Sequence, residues 1–247
     1  MAYNDFAYFY DALMGDADYP ARAKYILKLF EKFDRKPTLL LDVACGTGAF
    51  SLELAKKGIE VIGTDMSEDM LAIAREKTAE EGLDILYLCQ SAQDLDLYGT
   101  VDGAICCMDS INHITDPKIL LTAFKKISLF LEPERLFIFD VNTVYKQEKV
   151  LGDNTFVLDQ DDIYCVWQNE FNPKNNTTNI SLDFFAKEED IYIRSSENFS
   201  EKAYTNEELA KLLEKAGFKI EAIFGDMTQN EPLDTEERLF YICRKIK

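Results

Sequence analysis

The stretch 39–65, LLLDVACGTGAFSLELAKKGIEVIGTD, constrains this chain more than any other. Leu39, Leu40 and Leu41 run into Asp42 and Val43, a short apolar run of the kind that forms a buried strand. The chain then turns through Ala44-Cys45-Gly46-Thr47-Gly48 and places Phe50, Leu54 and Ala55 at helical spacing. Gly58, after Lys56-Lys57, predicts the end of that helix. Residues 59–64 read as a second strand, with Asp65 at its end. Strand, glycine turn, helix, strand and acid make half of a nucleotide-binding α/β unit.

A turn this tight needs positive φ or a backbone without a Cβ, and glycine supplies both. A ligand can then lie against the main chain at the helix N-terminus, with Asp65 spaced to accept hydrogen bonds from a ribose hydroxyl pair. The dinucleotide fingerprint G-x-G-x-x-G would want glycine at 51, where Ser51 stands. Asp42 precedes the turn, which favours a ligand with an ammonium group there over one with a pyrophosphate. S-adenosylmethionine fits both requirements. Asp42 could equally hold the turn by hydrogen bonds.

DVACGTG at 42–48, with Asp65 closing the next strand, resembles the first two motifs of the class I S-adenosylmethionine-dependent methyltransferases. The resemblance extends through most of the chain and implies a small-molecule type. It implies an α/β fold: a seven-stranded, mostly parallel, doubly wound Rossmann-like sheet, with an antiparallel β insertion after strand five. It also implies a set of cofactor-binding residues. Ala44, Cys45, Gly46 and Gly48 would give backbone access, and Asp42 would support the amino group. Asp65 would hold the ribose, while Met66, Ser91 and Ala92 would frame the adenine. Relatives often carry an acid where Ser91 stands; Asp94 could substitute only in a shifted turn. Tyr10, in the Tyr10-Asp11 pair, is either a pocket residue or an aromatic core anchor.

After residues 101–107, a fourth strand, comes Asp109-Ser110-Ile111-Asn112-His113, similar to a run that relatives place beside the transferred methyl group. Asp109 would lie near the methionine end. Asp109 and His113 are the catalytic candidates. His113, the sole histidine, has an unperturbed pKa suited to proton transfer near neutrality. A histidine facing solvent or packing on a lid is the competing reading, since no partner is visible in sequence.

Helix starts are predicted at Asp18, Ser67, Asp116-Pro117 and the Thr205-Glu208 capping box. Residues 136–141 read as strand five, and 218–224 and 239–243 as the last two strands. Residues 164–171, 179–186 and 191–199 alternate, with Asn-Pro-Lys-Asn-Asn and Lys-Glu-Glu-Asp turns between them: an antiparallel meander. We therefore divide the chain into a cofactor domain at 1–144 with an N-terminal helical cap, an insertion at 145–200, and a return to the first domain at 201–247. The insertion is a lid or a dimerisation arm; Tyr164, Trp167 and Tyr192 are candidates for lining it.

Composition narrows the partners. A net charge of −18 works against a phosphate backbone, so nucleic acid is disfavoured and a small-molecule methyl acceptor favoured. A surface tuned for solubility explains the same charge. Six cysteines show no C-x-x-C pair, which suggests reduced thiols and no metal. No apolar run approaches the ~20 residues of a membrane span, and the first residues lack the pattern of a targeting signal. The expectation is a cytoplasmic monomer or homodimer. Two alternatives stay open: a non-catalytic S-adenosylmethionine-binding regulator, and a nicotinamide-dependent oxidoreductase, which Ser51 opposes.

Overall fold

The computed structural model describes residues 10–11, 17–160 and 162–246. The chain runs through β1 (Leu39–Val43), β2 (Glu60–Asp65), β3 (Leu86–Cys89), β4 (Gly103–Cys106) and β5 (Leu136–Asn142). Four strands then build a separate sheet: β6 (Thr155–Gln160), β7 (Ile163–Asn172), β8 (Thr177–Glu188) and β9 (Ile191–Lys202). It returns through β10 (Phe218–Gly225) and β11 (Arg238–Lys245). The helices are α1 (Tyr19–Phe33), α2 (Ala49–Ala55), α3 (Glu68–Glu80), α4 (Pro117–Phe130) and α5 (Asn206–Lys215).

The main sheet has seven strands in the order β10-β11-β5-β4-β1-β2-β3. Strands β1 to β5 are parallel, and β11 runs antiparallel between β5 and β10. Apolar layers cover both faces. Ile26, Leu29 and Phe30 of α1 pack on Leu40, Ile105 and Ile138. Phe124 and Ile127 of α4, with Leu209 and Leu213 of α5, pack on Leu41, Phe137, Phe139 and Tyr241. Burial on both sides explains why β5, LFIFDVN, is buried throughout and shows no polar alternation.

The predicted helix starts form through the expected side chains. Asp18 accepts from the Ala21 amide at 2.9 Å, Ser67 from Met70 at 3.3 Å and Asp116 from Lys118 at 2.7 Å. Thr205 and Glu208 exchange both bonds of the capping box. Strand four is shorter than its apolar run. Asp102 turns its carboxylate back to the amides of Thr38 and Leu39, which breaks Val101 away to bridge Leu131.

The insertion holds four strands, one more than the alternation showed. β6 escaped because its apolar core, Phe156 to Leu158, is flanked by Asn154 and Asp159 and reads as turn. A π-helical segment, Lys146–Leu151, precedes it. Asn112 ties this second sheet to the first. Its buried amide donates to the carbonyls of Asn142 and Lys202 at 3.0 and 2.9 Å and accepts from the Asn142 amide at 2.9 Å. One side chain therefore joins the loop after β4 to the ends of β5 and β9. Among the described residues, no helix is long and apolar enough to cross a membrane.

Candidate active site

The strand order reverses between β1 and β4, so a crevice opens beyond their carboxyl ends. The chain leaves β1 with Ala44, Gly46 and Gly48 at φ of 56°, 55° and 72°. Parallel pairing sets Val43 opposite Thr64, which brings Asp65 alongside the turn. One Asp65 oxygen accepts from the Gly46 amide and the other from the Ser67 amide, both at 2.9 Å. The acid thus holds the turn and starts the link to α3, and its oxygens keep further lone pairs for a ligand. Burial raises the Asp65 carboxyl, opposed by the amides of Ser67, Gly46 and Met66.

The two glycines do different work. A Cβ on Gly48 would stand 2.6 Å from Tyr87 Oη and 2.8 Å from Ala74 Cβ, so this glycine lets the turn pack on α3 and β3. A Cβ on Gly46 would have nothing within 4 Å, and Gly46 lines the crevice.

Asp42 is buried at the end of β1 and accepts from Ser51 Oγ at 2.5 Å. Burial pushes its carboxyl up to about 7; the Ser51 hydroxyl opposes this and the Asp65 charge adds to it. The residue in the place of a third glycine is therefore the partner of the buried acid. Cys45 lies beside both acids. Burial, then Asp42 and Asp65, push its thiol well above the usual range, so it is no nucleophile.

Tyr10, Tyr19, Ala44, Cys107 and Ser110 also line the crevice. Burial, followed by Tyr19, Asp109 and Asp11, drives the Tyr10 phenol upward and keeps it a neutral hydroxyl. Asp11 accepts from Thr47 Oγ1 at 2.7 Å and pairs with Lys77 of α3, docking this segment over the turn. Next to Asp65, Met66 is 69% exposed, an apolar surface beside the acid that closes β2. Ser91 donates to Asp94 at 2.6 Å across the 3₁₀ turn Ala92–Asp94, and Ala92 packs on the core beneath.

Beyond β4, Met108 and Asp109 both take the left-handed conformation, at φ of 60° and 54°. Asp140 of β5 holds them, accepting from their amides at 2.7 and 3.1 Å. Arg238, at the start of β11, pairs with Asp140 and lies 2.7 Å from Asp109. Asn142 Nδ2 donates to the other Asp109 oxygen at 2.9 Å. Burial alone would raise the Asp109 carboxyl, but Arg238, Lys146 and His113 outweigh it and hold it at about 2. Asp109 is thus held as an anion with both carboxylate oxygens engaged. Arg238 carried no local sequence signal, because its partners lie on distant strands.

His113 ends the 3₁₀ turn Ser110–His113. Its ring rests 5.1 Å from Phe199, and Nε2 lies 3.6 Å from Glu201 Oε1. The partner missing in sequence comes from β9. Phe199 and Glu201 alternate with Tyr192, and the strand register joins their face to Trp167. Tyr164 and Tyr192 lie on the opposite face, lining an outer groove with Phe185. Of the three aromatic lining candidates, only Trp167 shares the face of Glu201.

This donor set fits an adenosine joined to an amino acid. Gly46 lines the crevice with open space where a Cβ would stand, Asp65 has acceptor capacity left, and Met66 offers an exposed apolar platform.

Strand order, glycine turn and the acid ending β2 define a doubly wound α/β protein built to bind a nucleoside cofactor. Residues 40–134 match the family described as a methyltransferase domain. The putative methyltransferase YqeM of Bacillus subtilis is 33% identical over all of this chain and 98% of its own length. An S-adenosylmethionine-dependent methyltransferase from Clostridium acetobutylicum superposes with a TM-score of 0.90 at 31% identity, covering 99% of each chain. CalS10, an amino pentose methyltransferase of Micromonospora echinaspora seen with bound cofactor, has a TM-score of 0.76 at 18% identity, covering 96% of each chain, and shows the shared fold. The chain belongs to the S-adenosylmethionine-dependent methyltransferases. A nicotinamide oxidoreductase is set aside, and the protein is an enzyme of this family.

Proposed function

We propose that this methyltransferase acts on a small molecule, methylating a nucleophilic atom held between the β4 end and the face of β9. The observation that carries this reading is the Asn112 clamp, which fixes the end of β9 over the carboxyl edge of the main sheet. A roof fixed there supports a compact acceptor and a lid role for the insertion. The charge of −18 speaks against a nucleic-acid acceptor. Reduced cysteines and the acidic surface suit a cytoplasmic enzyme.

When bound, S-adenosylmethionine supplies a methyl group already activated on a sulfonium. The chain's own residues orient and enclose. Asp65 accepts from the ribose hydroxyls while holding Gly46, and the Ala44-Cys45-Gly46 backbone forms the floor. Gly48 sets the turn, and Asp42 supports the amino group. Met66, Ser91 and Ala92 frame the adenine. Tyr10 covers the crevice, and Asp109, fixed by Arg238, shapes the methionine end. His113 stands on the acceptor side. Orientation alone can lower the barrier by about 7–11 kcal/mol, so no triad is required.

The test is calorimetric titration with S-adenosylmethionine, followed by incubation with labelled cofactor and a panel of small amines, alcohols and thiols beside total RNA and denatured protein. Label entering a small molecule supports the reading. Label entering only RNA or protein would overturn it.

A further inference from the structure

The geometry points to Glu201 as the positioning residue of His113, the two forming a proton-accepting pair that selects acceptors with a dissociable N–H or O–H. The inference rests on the acceptor-side placement of His113 proposed above. Glu201 is buried near the end of β9 and is held from other elements. Oε2 accepts from Gln147 Nε2 at 2.6 Å; Gln147 is fully buried and accepts in turn from Thr178 of β8. Oε1 is left to face His113 Nε2 at 3.6 Å. Phe199, two residues back on the same face, supports the imidazole ring.

The local charges point the same way. Asp65, Asp109 and Glu201 are the carboxylates that interact with His113; Lys146 is the cation that faces both Asp109 and Glu201, and Arg238 the one that faces Asp109. Arg238 bridges Asp109 and Asp140, and Lys146 Nζ donates to Asn142 Oδ1 at 3.0 Å. With Asp140 included, four carboxylates meet two cations. With Nε2 toward Glu201, Nδ1 is the free acceptor. The acceptor's heteroatom–hydrogen bond breaks and its proton passes to Nδ1; the pair left on the heteroatom forms the new bond to the methyl carbon as the carbon–sulfur bond breaks, its pair remaining on sulfur as the neutral thioether. The His113 side chain, 47% exposed, then releases it to water.

The donor atoms of Asp109, His113 and Glu201 also lie within 4.8 Å of one another, a spacing that a divalent cation could span. Asp109 is already neutralised by Arg238, which favours the proton pair over a metal.

Because His113 is the sole histidine, its imidazole resonances can be followed without assignment. Long-range ¹H–¹⁵N spectra across pH, on the full-length protein and Glu201→Gln, read its tautomer and titration directly. We expect the neutral ring to carry its proton on Nε2 in the native protein, and the tautomer balance to move toward Nδ1–H in Glu201→Gln, with Glu201→Asp between. Unchanged spectra in Glu201→Gln, with cofactor binding intact by calorimetry, would overturn the pair while leaving the methyl-transfer reading standing. With an acceptor from the panel, His113→Gln should lower kcat by about 10²–10⁴ and abolish the acidic limb of its pH profile, at unchanged cofactor affinity. Full kcat in that variant, or tight Zn²⁺ binding that disappears with it, would overturn the proton role.

Discussion

Asp65 and the Gly46 amide lie 2.9 Å apart across the carboxyl ends of β1 and β2, so the acid that closes β2 also holds the glycine turn after β1. Asp65→Ala therefore has two effects. Affinity for S-adenosylmethionine should fall at least about tenfold, the ~1.4 kcal/mol of one lost polar contact. Stability should fall by about 1–3 kcal/mol, because the Gly46 and Ser67 amides lose their acceptor. Calorimetry and urea unfolding read the two separately; an unchanged dissociation constant would remove Asp65 from the site.

The glycines should separate. Gly48→Ala places a Cβ against Tyr87 Oη and Ala74 in a left-handed conformation, at a cost of about 2–4 kcal/mol. Adding Tyr87→Phe should restore part of it. Gly46→Ala carries only the conformational cost of about 1–2 kcal/mol, but Gly46 lines the crevice, and its methyl should weaken cofactor binding more than Gly48→Ala does. Thermal melts with matched titrations check the order. Equal effects on affinity would remove the distinction.

Asp42 should make both stability and binding depend on pH. Its folded carboxyl sits at about 7, above the ordinary value of 3.8. The protonated form is thus favoured in the folded state: the contribution is complete below about pH 4 and is lost as pH rises through 7. Over a shift of about three units this is on the order of 4 kcal/mol. Asp42→Asn should flatten the stability curve between pH 4 and 7 and match or exceed the native protein at pH 8. Native cofactor affinity should fall below pH 7, as the anion supporting the amino group is lost; the variant should lack this dependence. Denaturation and titration series from pH 5 to 8 measure both.

Asn112→Leu should free the insertion. It strands the Asn142 amide and the carbonyls of Asn142 and Lys202, all at buried or nearly buried positions. We expect a loss of about 3 kcal/mol or more, with faster amide exchange in β8 and β9 and little change in β1, β2 and β4. Uniformly faster exchange would mean that Asn112 supports the whole fold.

Local patterns in the chain carried the cofactor half of this protein. Strand, turn, helix and acid in 39–65 are contiguous, and contiguous segments obey short-range rules: apolar period, capping side chains, left-handed glycines. Asp18, Ser67, Asp116 and Thr205 cap helices for the same reason, each meeting an amide two or three residues away. β6 was missed because flanking Asn154 and Asp159 resemble turn residues, and only pairing with β7 makes it a strand.

The acceptor half is made of meetings that no local pattern records. Arg238 reaches Asp109 and Asp140 because β11 lies beside β5, and Glu201 reaches His113 because Asn112 clamps β9 to the sheet edge. The orientation of Tyr164, Trp167 and Tyr192 rests on strand register, where a step of one residue turns a side chain to the other face. The sequence by itself determined the family, the cofactor and the parallel sheet, since these follow from short segments and their spacing. Tertiary structure alone decided which charges are paired, which glycine packs against a neighbouring side chain and which histidine partner exists. Those depend on distances between residues far apart in the chain, set by packing and strand order.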